Sequence, residues 1–165
     1  MLIRPVSRPD LDSVSALTPT RDVAEVRLQA AERGAEDMLV AVVDGVVGAV
    51  SVRWQHGCDT PNPWLYGLAV LAPARRHGIG RALVAAAEAA CTARGVHTIS
   101  LDVDTDNLGA IAFYRKLGYE SVRPHEHRWR SFDPRTGAVT GEGTASTWIM
   151  RADLGRRAVT SSRRP

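Results

Sequence analysis

The chain has 165 residues, 44% of them hydrophobic, enough for one folded domain with its own core. Its formal charge of +3 comes from residues 155–165, which hold Arg156, Arg157, Arg163 and Arg164 and no acid; the rest counts 17 basic against 18 acidic side chains, or −1. These numbers exclude a domain-wide basic footprint for nucleic acid, and two cysteines, Cys58 and Cys91, exclude a disulfide framework.

Leu2 to Val6 reads as a first strand, and Pro9-Asp10 starts a helix through about Leu17, broken at Thr18-Pro19-Thr20. Asp22 to Arg33 is a second helix, ended by Gly34. Met38 to Val43 and Val46 to Trp54 are strands joined at Asp44-Gly45, a hairpin signal. Gln55 to Pro63 is a turn-rich loop, and Trp64 to Val70 is a fourth strand. Gly78 to Arg94 is the longest helix, with Ile79, Leu83, Ala86, Ala87 and Ala90 on its inner face. Thr98 to Val103 is a strand, Leu108 to Leu117 a short helix, and Tyr119 to Arg123 a sixth strand. His125 to Gly143 is polar and predicted to be a loop; Ala145 to Arg151 is the last strand. A hairpin is antiparallel and a strand–helix–strand unit is usually parallel. The expected fold is therefore α/β (α+β), with a mixed central sheet of about seven strands and helices on both faces.

Residues 1–154 are expected to form the domain and 155–165 a disordered, arginine-rich tail. No apolar run reaches the roughly 18–20 residues of a membrane span, and Met1 to Ser7 lacks the order of a signal peptide. Reduced thiols and a cytoplasmic location, with no membrane or nucleic-acid partner, are the expectation.

The most informative segment is Leu68-Ala69-Val70-Leu71-Ala72-Pro73-Ala74-Arg75-Arg76-His77-Gly78-Ile79-Gly80-Arg81. A strand runs into a turn that opens a long helix, whose first N–H groups and positive dipole end favour an anion. Gly78 and Gly80 remove side chains that would hold the anion away, and Arg75, Arg76 and Arg81 add positive charge. The dinucleotide fingerprint fails because Leu83 stands where its third glycine belongs, and the Gly-Lys-Ser/Thr of a nucleotide P-loop is absent. Arg75-Arg76-His77-Gly78-Ile79-Gly80 instead reads as Arg-x-x-Gly-x-Gly, which resembles the acetyl-CoA pyrophosphate loop of the GNAT acyltransferases. Asn107, followed by Phe113-Tyr114-Arg115-Lys116-Leu117-Gly118-Tyr119, resembles the second hallmark block of that family. The two blocks stand in family order, and the resemblance covers about Leu2 to Leu154.

The resemblance implies the GNAT fold, its sheet splayed between strands 4 and 5, and acetyl-CoA as co-substrate with no metal. It implies cofactor contacts from Leu68, Ala69 and Val70 through their backbone, from Arg75, Arg76, His77, Gly78, Ile79, Gly80 and Arg81 around the diphosphate, and from Asn107 and Tyr114 near the thioester. Tyr114 is the implied general acid for the leaving thiolate; a core tyrosine beside Phe113 is the structural alternative. Asn107 also stands where it caps the helix beginning at Leu108.

The general base is the weak point, because Trp64 to Val70 contains no carboxylate. Ribosomal-protein alanine acetyltransferases of this family carry a carboxylic acid matching Asp102, twelve residues before the tyrosine, so Asp102 is the candidate, acting through water; a solvated edge carboxylate is the alternative. His56 and Tyr66 are lesser candidates.

In this fold the acceptor would meet Thr18 to Asp22, Arg53 to Trp64 and Arg123 to Thr144. The last segment sets Arg123, Arg128, Arg130, Arg135, His125 and His127 against Glu126, Asp133 and Glu142, a basic balance that suits an amine bearing a carboxylate or phosphate. Trp54, Trp64 and Trp129 could wall an apolar part of it. The expected activity is acetyl transfer to a small-molecule amine. Protein N-termini or lysines are the alternative acceptors, a non-catalytic acyl-CoA sensor is the alternative of another class, and pairing as a homodimer follows many relatives.

Overall fold

A computed structural model of the chain describes residues 1–132 and 139–155, with residues 129–132 described by their backbone alone. It divides into two units, Met1–Leu101 with residues 153–155, and Asp102–Ala152. The strand order along the mixed sheet is β1 (Leu2–Pro5), β2 (Glu36–Val42), β3 (Val46–Arg53), β4 (Trp64–Val70), β5 (Thr98–Asp104), β7 (Val139–Asp153), β6 (Glu120–Phe132).

In the first unit β1 (Leu2–Pro5), β2 (Glu36–Val42), β3 (Val46–Arg53) and β4 (Trp64–Val70) form an antiparallel run. Strand β5 (Thr98–Asp104) begins in this unit and pairs parallel to β4. Among the described residues these two strands share one register position, Trp64 opposite Ser100, at the start of β4. This is the splay the resemblance implied. The register of β3 against β4 passes from Ala49↔Ala69 to Ser51↔Tyr66, so Gly67 and Leu68 stand opposite Val50 alone. That is a bulge, and it leaves β4 with backbone groups outside the ladder.

Helices cover both faces. On one lie α1 (Leu11–Ser15) and α2 (Arg21–Glu32), whose Val14 and Ala24 pack with Met38, Val40 and Ala49. Thr20 caps α2 by accepting a hydrogen bond from Val23 N–H at 3.2 Å. The other face carries α3 (Ile79–Ala93), which buries Ile79, Leu83, Val84, Ala87 and Cys91. Val84 and Cys91 replace Ala86 and Ala90, both half-buried, on the expected inner face. The approach is close: a Cβ on Gly48 of β3 would stand 3.1 Å from Leu83 Cδ1 and 3.3 Å from Ile79 Cγ2.

The second unit holds the end of β5, α4 (Leu108–Lys116), β6 (Glu120–Phe132) and most of β7 (Val139–Asp153). Here the expected loop from His125 to Gly143 is corrected. Its described residues, 125–132 and 139–143, belong to a long antiparallel ribbon running from Glu120↔Arg151 to Phe132↔Val139. Hydrophobic alternation is the signal for a half-buried strand. Between His125 and Gly143 the side chains described are exposed or half-buried, so cross-strand backbone pairing forms this part of the ribbon without an apolar stripe. Residues 133–138 and the tail from Arg156 lie outside the described residues. Among the described residues no helix is long and apolar enough to cross a membrane.

Candidate active site

The first unit places Leu68, Ala69 and Val70 on the bulged end of β4, each half-buried. The strand leaves through Leu71, whose N–H donates to Val47 C=O at 2.9 Å, into a single 3-10 turn at Ala72–Ala74. Arg75 turns back and donates from Nε to Val70 C=O at 2.9 Å, tying the loop to the strand end. Arg76 then takes φ +64° and Gly78 φ +80°. A left-handed arginine is uncommon and strained, and it persists only where its surroundings dictate it. Left-handed residues beside right-handed ones aim successive N–H groups into a shared concavity that suits an anion.

Helix α3 continues that cradle. Its N-cap, Gly78, supplies no side-chain hydrogen bond, and Ala82 N–H donates to Gly78 C=O at 3.0 Å. The N–H groups of Ile79, Gly80 and Arg81 therefore precede the first acceptor inside the helix. Nothing lies within 4 Å of where a Cβ on Gly78 would stand. Arg75, Arg76, His77 and Arg81 are exposed around this opening, and no acid occurs from Leu65 to Ala87. A diphosphate fits: bare amides on one side, exposed cations about it and no competing carboxylate in the segment.

The second unit holds the other candidates. Asn107 accepts a hydrogen bond from Ala110 N–H at 3.0 Å through Oδ1, so the expected cap of α4 is present. Tyr114 sits on the buried face of α4, 8% exposed, its ring edge-on to Phe113 at 5.0 Å and to Tyr119 at 5.5 Å. Burial, and secondarily the charge of Asp102, push its pKa up to about 12. The phenol thus keeps its proton at neutral pH. Asp102 is half-buried on β5, between the buried Leu101 and Val103. Close enough to act on the phenol electrostatically, it also keeps some contact with solvent.

Residues of the predicted acceptor wall take distinct places. Trp64 is buried in packing, whereas Arg53, Trp54 and His56 line a cavity of about 440 Å³ with Arg33, Gly34, Ala35, Glu36 and Gln55. Two arginines and a histidine face one carboxylate there. Trp54 stacks under Arg94, whose Cζ lies 3.8 Å from the ring, and donates from Nε1 to Asp37 at 3.3 Å. The loop before β4 is pinned: Asp59 accepts from Ser100 Oγ at 2.5 Å and from Asn62 at 3.0 Å. His125 and His127 stack at 6.0 Å on β6, and the side chains of Trp129 and Arg130 lie outside the described residues.

Two residues escaped the sequence reading. Glu36, 5% exposed, accepts hydrogen bonds from Arg53 Nε at 2.7 Å and from the Tyr66 hydroxyl. Arg27 projects from the buried face of α2 and donates to Ser51 Oγ through Nε at 3.2 Å and Nη2 at 2.7 Å. Tyr66, a lesser candidate for the base, is thus engaged with Glu36; burial first, then Glu36, raises its pKa. A signal for Glu36 existed only in the register: extending β2 back two residues puts Glu36 on the buried face with Met38 and Val40. For Arg27 the signal was its place three residues after Ala24 and beside Leu28, on the apolar stripe.

A family model described as the acetyltransferase (GNAT) family matches residues 9–119. N-alpha-acetyltransferase 50 of Danio rerio is 33% identical over 97 residues, covering 58% of this chain and 58% of the relative's own length. By fold, the ribosomal-protein-alanine N-acetyltransferase of Brucella melitensis aligns with TM-score 0.72 and 23% identity over 93% of this chain and 100% of that one. A GNAT family acetyltransferase of Elizabethkingia anophelis, solved with acetyl-CoA bound, aligns with TM-score 0.66 and 12% identity over 93% and 97%.

Proposed function

This chain belongs to the GNAT acetyltransferase family, and we propose that it moves an acetyl group from acetyl-CoA to the primary amine of a small metabolite bearing an anionic group. When bound, acetyl-CoA supplies an acyl carbon activated as a thioester. Amides of Gly78 to Arg81, with Arg75, Arg76 and Arg81, hold its diphosphate, and the backbone of Leu68, Ala69 and Val70 aligns the arm and polarises the carbonyl. Asn107 helps to seat the thioester end. The amine nitrogen bonds to the acyl carbon as the carbon–sulfur bond breaks. Tyr114 gives the departing sulfur its proton, and Asp102 takes the amine's surplus proton through water.

The observation that carries this reading is the turn at residues 75–81, where a left-handed arginine and glycine open onto bare helix amides. The anionic acceptor draws support from the cavity with Arg33, Arg53 and His56. Purified protein with acetyl-CoA and a panel of amines should release thiol, and Tyr114→Phe should slow release while cofactor binding persists. Absence of acyl-CoA binding at micromolar concentrations ends the proposal, and binding without turnover on any amine turns it into a sensor.

A second acceptor class has one observation in its favour: the similarity to proteins named for N-alpha-acetylation and for ribosomal-protein alanine acetylation. Incubation with a peptide pool and, separately, an amine-metabolite pool, read by a 42-dalton mass gain (the mass of about one acetyl group replacing a proton), separates the two.

A further inference from the structure

The inner face of α2 carries a cation with no anion of its own. Arg27 is 6% exposed. Its guanidinium meets the hydroxyl of Ser51 at 2.7 Å and 3.2 Å and the ring of Tyr66, 4.8 Å from its centroid. Among the described residues no carboxylate forms an ion pair with it. The nearest acid in this network, Glu36, is held by Arg53 and by the Tyr66 hydroxyl. Two guanidinium groups therefore share one carboxylate in a buried patch, which leaves one positive charge without a counter-ion. Such a charge is costly to keep dry, and burial lowers the pKa of Arg27 accordingly.

The place of that charge matters. Nη2 and Nη1 lie 2.4 Å and 2.6 Å from where a Cβ on Gly67 would stand. Gly67 is exposed and belongs to the β4 bulge, next to Leu68. A side chain at 67 would collide with the guanidinium, so glycine lets the cation reach the strand itself. Consecutive Cα atoms are about 3.8 Å apart, which puts Arg27 roughly one residue from the strand segment assigned above to the thioester.

We propose that Arg27 receives a carboxylate of the acceptor, so that the acceptor is a short amino acid whose amine lies two or three bonds from its carboxylate. This rests on the acyl-transfer reading. A guanidinium edge presents one N–H from each of Nη1 and Nη2, the fork that matches the two carboxylate oxygens. Ser51 fixes the Nε–Nη2 side and the Tyr66 side chain also hydrogen-bonds the guanidinium, so the carboxylate would take the remaining donors at its Nη1–Nη2 end. A carboxylate held there brings the amine of an α- or β-amino acid beside Leu68, whereas a long ω-amino acid would overshoot.

The test compares thiol release from acetyl-CoA with α-, β- and longer ω-amino acids and with the carboxamide of each. In the wild-type protein kcat/KM should favour carboxylate over carboxamide by about 10- to 100-fold, through KM, and should fall as the amine moves away. Arg27→Gln should bring the ratio to about 1, and Arg27→Lys should restore part of it. Should Arg27→Gln fail to fold, Gly67→Ala, which displaces the guanidinium and keeps its charge, must reduce the same ratio. A ratio near 1 in the wild-type protein, a preference that survives Arg27→Gln in folded protein, or turnover of peptides with neglect of amino acids overturns the proposal and leaves acyl transfer standing. If acetyl-CoA binds and no amine releases thiol, the transfer reading fails. Thermal stabilisation by acetate over acetamide then decides the Arg27 site: its loss in Arg27→Gln supports a carboxylate there, and its absence in the wild-type protein refutes it.

Discussion

Replacing Gly78 with alanine tests whether the left-handed turn before α3 is built into the protein. At φ +80° an L-residue pays about 1–2 kcal/mol. The same change removes unfolded-state freedom, worth about 0.4–1 kcal/mol in the opposite direction. No atom lies within 4 Å of the new Cβ, so no clash is added. The net cost is about 1 kcal/mol, a fall in Tm of about 2–4 °C for a chain of this length. Asparagine tolerates this conformation better and should recover part of the loss. Gly95, after α3, is the control: its φ is +72° and its Cβ position is also open. Gly95→Ala should cost similar stability and leave acetyl-CoA affinity alone, whereas Gly78→Ala should weaken it by roughly tenfold by filling the opening to the amides. Differential scanning fluorimetry and calorimetric titration read both effects. Wild-type stability in Gly78→Ala, or equal loss of affinity in the two variants, refutes the reasoning.

Tyr114→Phe should lower kcat by about 100-fold or more. Because the phenol's pKa is pushed up to about 12, the ratio of wild-type to variant kcat should stay constant from about pH 6 to about pH 10; a collapse of the ratio near neutrality contradicts this. Asp10 accepts from Arg4 at 2.7 Å and 2.8 Å and from Ser7 N–H at 2.8 Å, and these bonds hold its pKa well below the carboxylate range. A depressed pKa contributes stability that is present above the unfolded value and lost as pH falls through the folded one. Asp10→Asn should thus cost about 1–3 kcal/mol at pH 7 and progressively less below about pH 4, measured by urea unfolding. Of the two thiols, exposed Cys58 should react quickly with a disulfide reagent at pH 8. Cys91, whose pKa burial and then the charges of Glu88 and Asp37 push up to about 12, should react only on unfolding.

Elements that bury an apolar stripe were legible in the chain. Strands β1 to β5 and helices α2 to α4 fall within a few residues of expectation, because Met38, Val40, Leu83 and Ile111 recur at the spacing of the faces they bury. The base of the β6–β7 ribbon was read as strands at Tyr119 to Arg123 and Ala145 to Arg151, but its outer part was not legible, since its order comes from cross-strand pairing such as Trp129 with Gly143 and not from an apolar alternation. Motif residues were legible for a different reason: Gly78, Gly80 and Asn107 are constrained by backbone chemistry, which shows in residue type alone. Arg27 and Glu36 were hidden because a charged residue on a buried face reads as a break in the pattern until its partners from other strands are known.

In the proposed reading those partners mark the acceptor end of β4, and the glycine turn marks its cofactor end. Among the described residues only His56 and Arg76 are non-glycine with positive φ, at +62° and +64°. One belongs to the loop that leads into β4 and lines the cavity with Arg53 and Glu36; the other belongs to the turn that leaves it. Backbone strain of this kind persists where surrounding structure over-determines it, and it concentrates where ligands are held. Both strained positions flank the one bulged strand, whose amides at Gly67 and Leu68 face a single residue, Val50. An aligned pair of substrates needs a site at each end of a short strand with unsatisfied backbone between them. In the proposed reading, strain at His56 and Arg76 with a bulge between them is the local form such a requirement takes.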